Sequence, residues 1–214
     1  MISPESAVFY PGKQGAAMKI LLEAAPAELV VKNSRFRSEA AYVETPEAAR
    51  EIWRLRKTQY DNGGHIVYAF IVGPQGNIQG CSDDGEPSGT AGRPTLEVLK
   101  GSGLTNVILT TARWFGGTKL GTGGLVHAYT ASAQAALENI RTREFVPMKK
   151  LEFSVSYALY EQTKRILEAM QFAVQQEEFA TDIRIVGELT EAQAPQLIVK
   201  LRDLSNGKIQ VKEI

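Results

Sequence analysis

The chain has 214 residues with 24 basic and 24 acidic side chains, enough for one large domain or two small ones. No global field draws it to nucleic acid or membrane, so any polyanion binding has to come from a local patch. A single cysteine, Cys81, excludes an intramolecular disulfide, and two histidines, His65 and His127, are too few for the usual zinc sites of His and Cys.

No apolar run approaches the ~18 residues of a membrane span, and no cationic leader precedes an apolar core. Secretion and membrane insertion are therefore not expected, and a reducing, cytoplasmic setting is. Residues 1–17, MISPESAVFYPGKQGAA, carry Pro, Gly and Ser without periodicity. They read as an extension, disordered or mis-started, ahead of Met18. RFRSEAAYV (35–43) sets Phe36 and Tyr42 among smaller or polar residues. Thr45 and Pro46 then offer an N-cap with proline at the first helical position. Ala49, Ile52, Trp53 and Tyr60 follow at helical spacing, and Asn62-Gly63-Gly64 punctuates the end.

HIVYAFIV (65–72) is apolar, β-branched and aromatic between turn residues, which predicts a central strand turning through Pro74–Gly76 towards Ile78. CSDDGEPSGTAG (81–92) is too rich in Gly, Ser and acid for regular structure. Arg93 and Pro94 lead into a short helix, TLEVLK, stopped by Gly101 and Gly103. NVILTTARWF (106–115) predicts a second long strand and LVHAYTASAQAALENI (125–140) an Ala-rich helix. Beyond Pro147, LEFSVSY alternates and YEQTKRILEAM is helical. FAVQQEEFA and IRIVG form two strands about Thr181-Asp182, QLIVKLRDL is helical, and Asn206-Gly207 leads into KIQVKEI. Pro195 either kinks that last helix or starts it. The order β-α-β-β-α-β is that of a split βαβ, ferredoxin-like domain. The expected organisation is α+β, with an N-terminal domain over 18–147 and a C-terminal domain over 148–214.

RWFGGTKLGTGGL (113–125) joins strand to helix with five glycines, Gly116, Gly117, Gly121, Gly123 and Gly124, beside Arg113 and Lys119. Backbone N–H groups at a helix start bind anions, and glycines allow close approach. The spacing fits neither G-x-x-x-x-G-K-[ST] nor G-x-G-x-x-G, so tight turns and close packing are an equal reading. Ser82, Asp83, Asp84 and Glu86 form a hard-oxygen set suited to magnesium, although Asp and Ser in glycine loops more often cap their own backbone. Ser88 lacks the flanking glycines of a nucleophile elbow, and nothing in the spacing selects His65 or His127 for a triad.

Taken together, SDDGEPSGTAGRPTLEVL (82–99), GLTNVILTTARWFGGTKLGTGGLVHAY (103–129) and VKNSRF (31–36) resemble the signature of the YigZ/IMPACT family. The resemblance implies an N-terminal domain like the second domain of ribosomal protein S-five, then a ferredoxin-like domain similar to the last domain of the elongation factor EF-G. It implies a link to translation. One departure stands out: where the family has a further His and a Cys, His65 is followed here by Ile66 and Val67. The expectation is a non-catalytic protein that binds the ribosome, RNA or an acidic translation-related partner. Its candidate site residues are Arg113, Lys119, the five glycines, His65, Ser82, Asp83, Asp84, Glu86, Ser88 and Thr90. No cofactor or metal is expected, and no oligomeric state is specified. The alternative is an enzyme of phosphorylated small molecules, with magnesium on the acidic loop. Arg113 has a second reading, as an internal ion pair with Asp83, Asp84 or Glu86.

Overall fold

A computed structural model describes residues 8–9, 18–60, 64–138 and 140–214. The extension, apart from Val8–Phe9, and the Asn62-Gly63 helix stop lie outside the described residues. The chain divides into two compact units, one ending at Phe145 and one beginning at Val146. Among the described residues no helix is long and apolar enough to cross a membrane.

The first unit runs β1 (Val8–Phe9), β2 (Lys19–Ala24), β3 (Ala27–Val31), β4 (Ser34–Tyr42), α1 (Pro46–Gln59), β5 (His65–Val72), β6 (Ile78–Ser82), α2 (Gly92–Ser102), β7 (Val107–Trp114), α3 (Gly121–Glu138) and β8 (Ile140–Glu144). Six strands form a sheet in the order β1-β6-β5-β7-β4-β3, antiparallel throughout, and β2 pairs with β8 separately. The unbroken apolar runs of β5 and β7 are explained by burial on both faces. Tyr68, Phe70, Val72 and Ile108 pack with Ala49, Ile52 and Trp53 of α1. The alternate residues Ala69, Ile71, Val107 and Leu109 meet Leu96 and Leu99 of α2 and Ala133 and Ala136 of α3. Each strand thus presents one face to α1 and the other to the α2–α3 layer.

Local chemistry sets the ends of these elements. Thr45 Oγ1 accepts the Ala48 N–H at 3.1 Å and starts α1, as its position ahead of Pro46 predicts. Gly103 closes α2 with φ +71. Lys32 and Asn33, both at positive φ, make the two-residue turn between β3 and β4. Gly116 lies directly on that turn: a Cβ there would sit 2.0 Å from the Asn33 carbonyl carbon. Three features differ from the expectation. The strands β2, β3 and β8 are present, α2 begins at Gly92, and α3 begins at Gly121, so Gly121, Gly123 and Gly124 occupy its first turn. Helical propensity places glycine outside helices, and the first turn of α3 departs from it.

The second unit runs β9 (Met148–Val155), α4 (Tyr157–Ala169), β10 (Ala173–Phe179), β11 (Ile183–Thr190), α5 (Ala194–Leu204) and β12 (Lys212–Glu213). Its sheet is antiparallel in the order β10-β11-β9-β12. That is the β-α-β-β-α-β order with the first and third strands central. Leu151, Phe153, Ile183 and Ile185 face Leu167 of α4 and Leu197 and Leu201 of α5. Pro195 stands in the first turn of α5 and starts the helix rather than kinking it. The last strand is shorter than KIQVKEI predicts.

Two alanine substitutions separate a glycine required by packing from one that is not. Gly116→Ala drives a methyl into the Asn33 backbone and should cost at least ~1–3 kcal/mol. Gly101→Ala, in the last turn of α2 with open space around the new Cβ, should stabilise by up to ~0.5 kcal/mol. Urea unfolding of the two variants should give shifts of opposite sign.

Candidate functional site

β7 ends by turning Arg113 onto the α2–α3 face, where its side chain is 8 % exposed and that of Glu86 is 3 % exposed. Arg113 Nη1 donates to both Glu86 oxygens, at 2.8 and 3.0 Å, and Nη2 reaches Ser34 Oγ at 3.4 Å. Tyr129, fully buried on α3, donates its hydroxyl to Glu86 Oε1 at 2.7 Å. Its ring stands edge-on to Phe36 with centroids 5.2 Å apart. Burial, followed by the charge of Glu86, raises the Tyr129 pKa well above the ordinary phenol value. The acidic loop, the glycine connection, the β3–β4 hairpin and α3 meet at this cluster.

That geometry corrects one expectation. Arg113 does not offer its guanidinium to an outside ligand, and Glu86 does not offer its carboxylate to a metal. Each neutralises the other's charge in a site withdrawn from water, where an uncompensated charge would be costly, although the buried Arg113 Nε has no hydrogen-bond partner among the described residues. The internal ion-pair reading of Arg113 holds, with Glu86 as partner rather than Asp83 or Asp84.

The rest of the acidic loop is also turned inward. Asp83 Oδ1 accepts the N–H groups of Ala91 at 3.0 Å and Gly92 at 2.8 Å, and Oδ2 accepts that of Gly89 at 2.8 Å. Asp83 therefore holds the backbone that enters α2. Asp84, in the left-handed region with φ +44, accepts the Ile66 N–H on Oδ2 at 2.7 Å and the Lys57 ammonium on Oδ1 at 2.5 Å. Its carbonyl meets His65 Nδ1 at 2.8 Å, and its N–H donates to Ser82 Oγ at 3.2 Å. Gly85, at φ +87, passes under the His65 ring, where a Cβ would lie 3.2 Å from Nδ1. Thr90 Oγ1 donates to the Pro87 carbonyl at 2.6 Å. Ser88 is exposed. Ile66 and Val67, at the positions of the departure, are core residues, and the Ile66 carbonyl accepts the Trp53 indole N–H at 2.7 Å. Among the described residues no group of three or more His, Cys, Asp or Glu is placed to hold a metal ion.

The glycine connection divides in two. Gly116 is structural, packed on the hairpin turn and donating its N–H to Ser34 Oγ at 3.2 Å. Gly117 at φ +84 and Gly121 at φ +76 supply conformations that L side chains rarely adopt, and Gly124 has the Leu120 Cβ 3.2 Å from its own Cβ position. Gly123 differs from them all. Its φ is not positive, a Cβ there would meet nothing within 4 Å, and it lies in the first turn of α3, four residues after exposed Lys119.

Sheet topology adds to the electrostatics of this end. β6 and β7 both run antiparallel to β5 and so run the same way, and the helices that follow them start at the same end of the sheet. Two positive helix ends therefore lie at one edge, with the α2 end answered by Asp83. Along the helices, between α2 and α3, lies a groove of about 1050 Å³ lined by Arg93, Pro94, Val98, Val126, Thr130 and Leu137 among others. The sequence reading missed this groove, and of the expected site residues none lines it. It also missed Ser34, Lys57 and Tyr129. The legible signal for Tyr129 was a lone hydroxyl-bearing aromatic on a helix of otherwise small residues.

The chain matches the model of the Impact N-terminal domain over residues 32–137 and that of a domain of unknown function (DUF1949) over 153–208. It is 34% identical to the IMPACT family member YvyE of Bacillus subtilis, covering 89% of this chain and 88% of that protein. With the IMPACT family member YigZ of Escherichia coli it shares 31% identity over 91% of this chain and 97% of the relative. A Saccharomyces cerevisiae protein IMPACT homolog is 30% identical over 50% of this chain and 42% of its own length. A crystal structure of a hypothetical protein superposes with a TM-score of 0.70 at 28% identity, covering 92% of this chain and 97% of that one.

Breaking the buried cluster from one side should be costly: Arg113→Met or Glu86→Gln should each lose ~3–5 kcal/mol, and the double variant less than the sum. The check is a denaturant double-mutant cycle. Tyr129 brings a pH signature. In the folded chain it keeps its proton beyond the ~10 at which an unfolded tyrosine ionises, so the unfolded state binds fewer protons above that pH. Stability should then fall as pH rises past ~10, less steeply in Tyr129→Phe, as unfolding midpoints measured from pH 8 to 11 would reveal.

Proposed function

Because the chain belongs to the IMPACT family, we propose that it is a translation-associated binding protein whose first unit takes the phosphate backbone of RNA, on or off the ribosome, at the start of α3. Gly123 carries this reading. Neither backbone conformation nor packing calls for glycine there, and glycine in a helix costs up to ~1 kcal/mol relative to alanine, less in a first turn than in the interior. A ligand pressed against the backbone N–H groups of the first turn gives the missing reason. Exposed Lys119 adds the charge, and the helix dipole adds ~0.3–1 kcal/mol. Of the groups first weighed as ligands, Lys119 and the open glycines keep that role, while Arg113, Glu86, Asp83 and Asp84 shape the loops behind them.

The fold fits the same reading by analogy. We take the first unit to be like the second domain of ribosomal protein S-five and the second to be like the last domain of EF-G, both parts of the translation machinery. The cytoplasm is the corresponding location. Magnesium at the acidic loop would require Asp83 and Asp84 to release hydrogen bonds that hold α2 and β5 in place, which favours binding over metal-assisted catalysis.

The test is co-sedimentation with ribosomes and with free RNA across a salt series. Binding should weaken with salt. It should fall by about tenfold, roughly 1.4 kcal/mol, in Gly123→Ala, a variant whose stability rises because alanine suits the helix better. Lys119→Ala should flatten the salt dependence. Unchanged binding in Gly123→Ala, or no binding by the parent protein at low salt, would overturn the proposal.

A further inference from the structure

The second unit carries a feature with no part in the site above: an outer strand that, among the described residues, has no partner on its far side. β10 lies at one end of its sheet and among the described residues pairs only with β11. Every residue of it is exposed except half-buried Glu177. An outer strand presents unpaired backbone N–H and C=O groups, and proteins ordinarily blunt such an edge with charge, a bulge or a cover. β10 has an irregularity in register between Val174 and Gln176, and it has Glu177 and Glu178. It also has what a guarded edge avoids. Phe179 and Tyr157 are 59% and 56% exposed. Phe179 stands edge-on to Tyr160 with centroids 5.7 Å apart, and Tyr157 donates its hydroxyl to the Ala180 carbonyl at 3.0 Å. Aromatic side chains held in place at low entropic cost, beside an unpaired strand, are the composition of a recognition surface.

We propose that the β10 edge binds an extended, basic segment of a partner protein by strand addition. Successive strand residues face opposite sides, so Glu177 and Glu178 place one carboxylate on each side of the sheet. Glu177 is on the α4 side, where Tyr160 donates to it at 3.2 Å, and Glu178 is on the other, 3.2 Å from Arg184. A guest strand at the usual spacing of ~4.8 Å therefore needs two adjacent cationic residues to satisfy both, with an apolar residue beside them for Phe179 and Tyr157. A second copy of this chain fits less well, because pairing β10 with itself crowds four carboxylates along one seam. Main-chain hydrogen bonds would give affinity and the carboxylate pair selectivity.

The probes are fluorescein-labelled peptides of about ten residues, rich in Val and Thr, with an Arg-Lys pair at the centre or Gln-Gln in its place. They are titrated into the full chain by anisotropy, with amide hydrogen exchange read on the complex. The expected result is binding of the Arg-Lys peptide about tenfold tighter than the Gln-Gln peptide, weakened by salt, with slowed exchange confined to 173–179. Glu177→Gln with Glu178→Gln should abolish the preference, and Phe179→Ala should weaken both peptides, each variant keeping the parent's circular dichroism. Equal affinity for the two peptides, no binding, slowed exchange outside β10, or slowing of β10 that follows protein concentration without peptide would each overturn the proposal. The last of these outcomes would assign the edge to self-association.

Discussion

The pairing of Glu86 with Arg113 is the contact on which the first unit's functional end depends. Neither loop has regular structure of its own: one runs from Asp83 to Ala91, the other from Phe115 to Leu120. A buried bidentate pair, with Tyr129 donating to the same carboxylate, joins them through a β-strand on one side and a helix on the other. Ion pairs of this kind add little net stability compared with apolar packing. They exact a specific geometry, since each member removed from water has few alternatives. Ser34 reaches both Arg113 and the Gly116 N–H, so the hairpin turn falls under the same constraint.

A division of labour follows. The side chains with the most conspicuous chemistry, two aspartates, a glutamate and an arginine, are spent on the protein's own backbone and on one another. What they leave at the surface is plain: glycine backbone, one lysine and the positive end of a helix. On the RNA-binding reading proposed above, that rigid support would set backbone N–H groups and one ammonium against a repeating charged backbone.

Much of the fold was legible because its strongest signals are local. The apolar runs of β5 and β7, the Thr45-Pro46 start and the β-α-β-β-α-β order of the second unit follow from periodicity and capping. β2 and β8 did not show, since their burial alternates poorly and their identity depends on distant partners: Lys19 pairs with Glu144 and Ala24 with Ile140; β3 is five residues long and no more than half-buried. The site was legible as a pair of loops but not in its polarity. The sequence offered Arg113 first to a ligand and, as a second reading, to one of three carboxylates. The choice rests on the facing alternation of β7, on Tyr129 arriving from α3, and on the depth of the cluster, all of them tertiary facts. Gly123 was grouped with four other glycines until packing separated them.

The β2–β8 pair carries a consequence for how the chain is made. Its two strands are the second and the last of the first unit, so during synthesis β2 waits for its strand partner until every other strand and helix of that unit has left the ribosome. The sheet imposes a similar delay on the β3–β4 hairpin, whose neighbour β7 comes after α1, β5, β6 and α2. Long-range pairings of this kind slow folding and keep strand edges uncovered meanwhile. The second unit needs only its own short stretch of chain. For the first, the growing chain is a nascent client with open edges, in need of protection until Ile140–Glu144 arrives to close it.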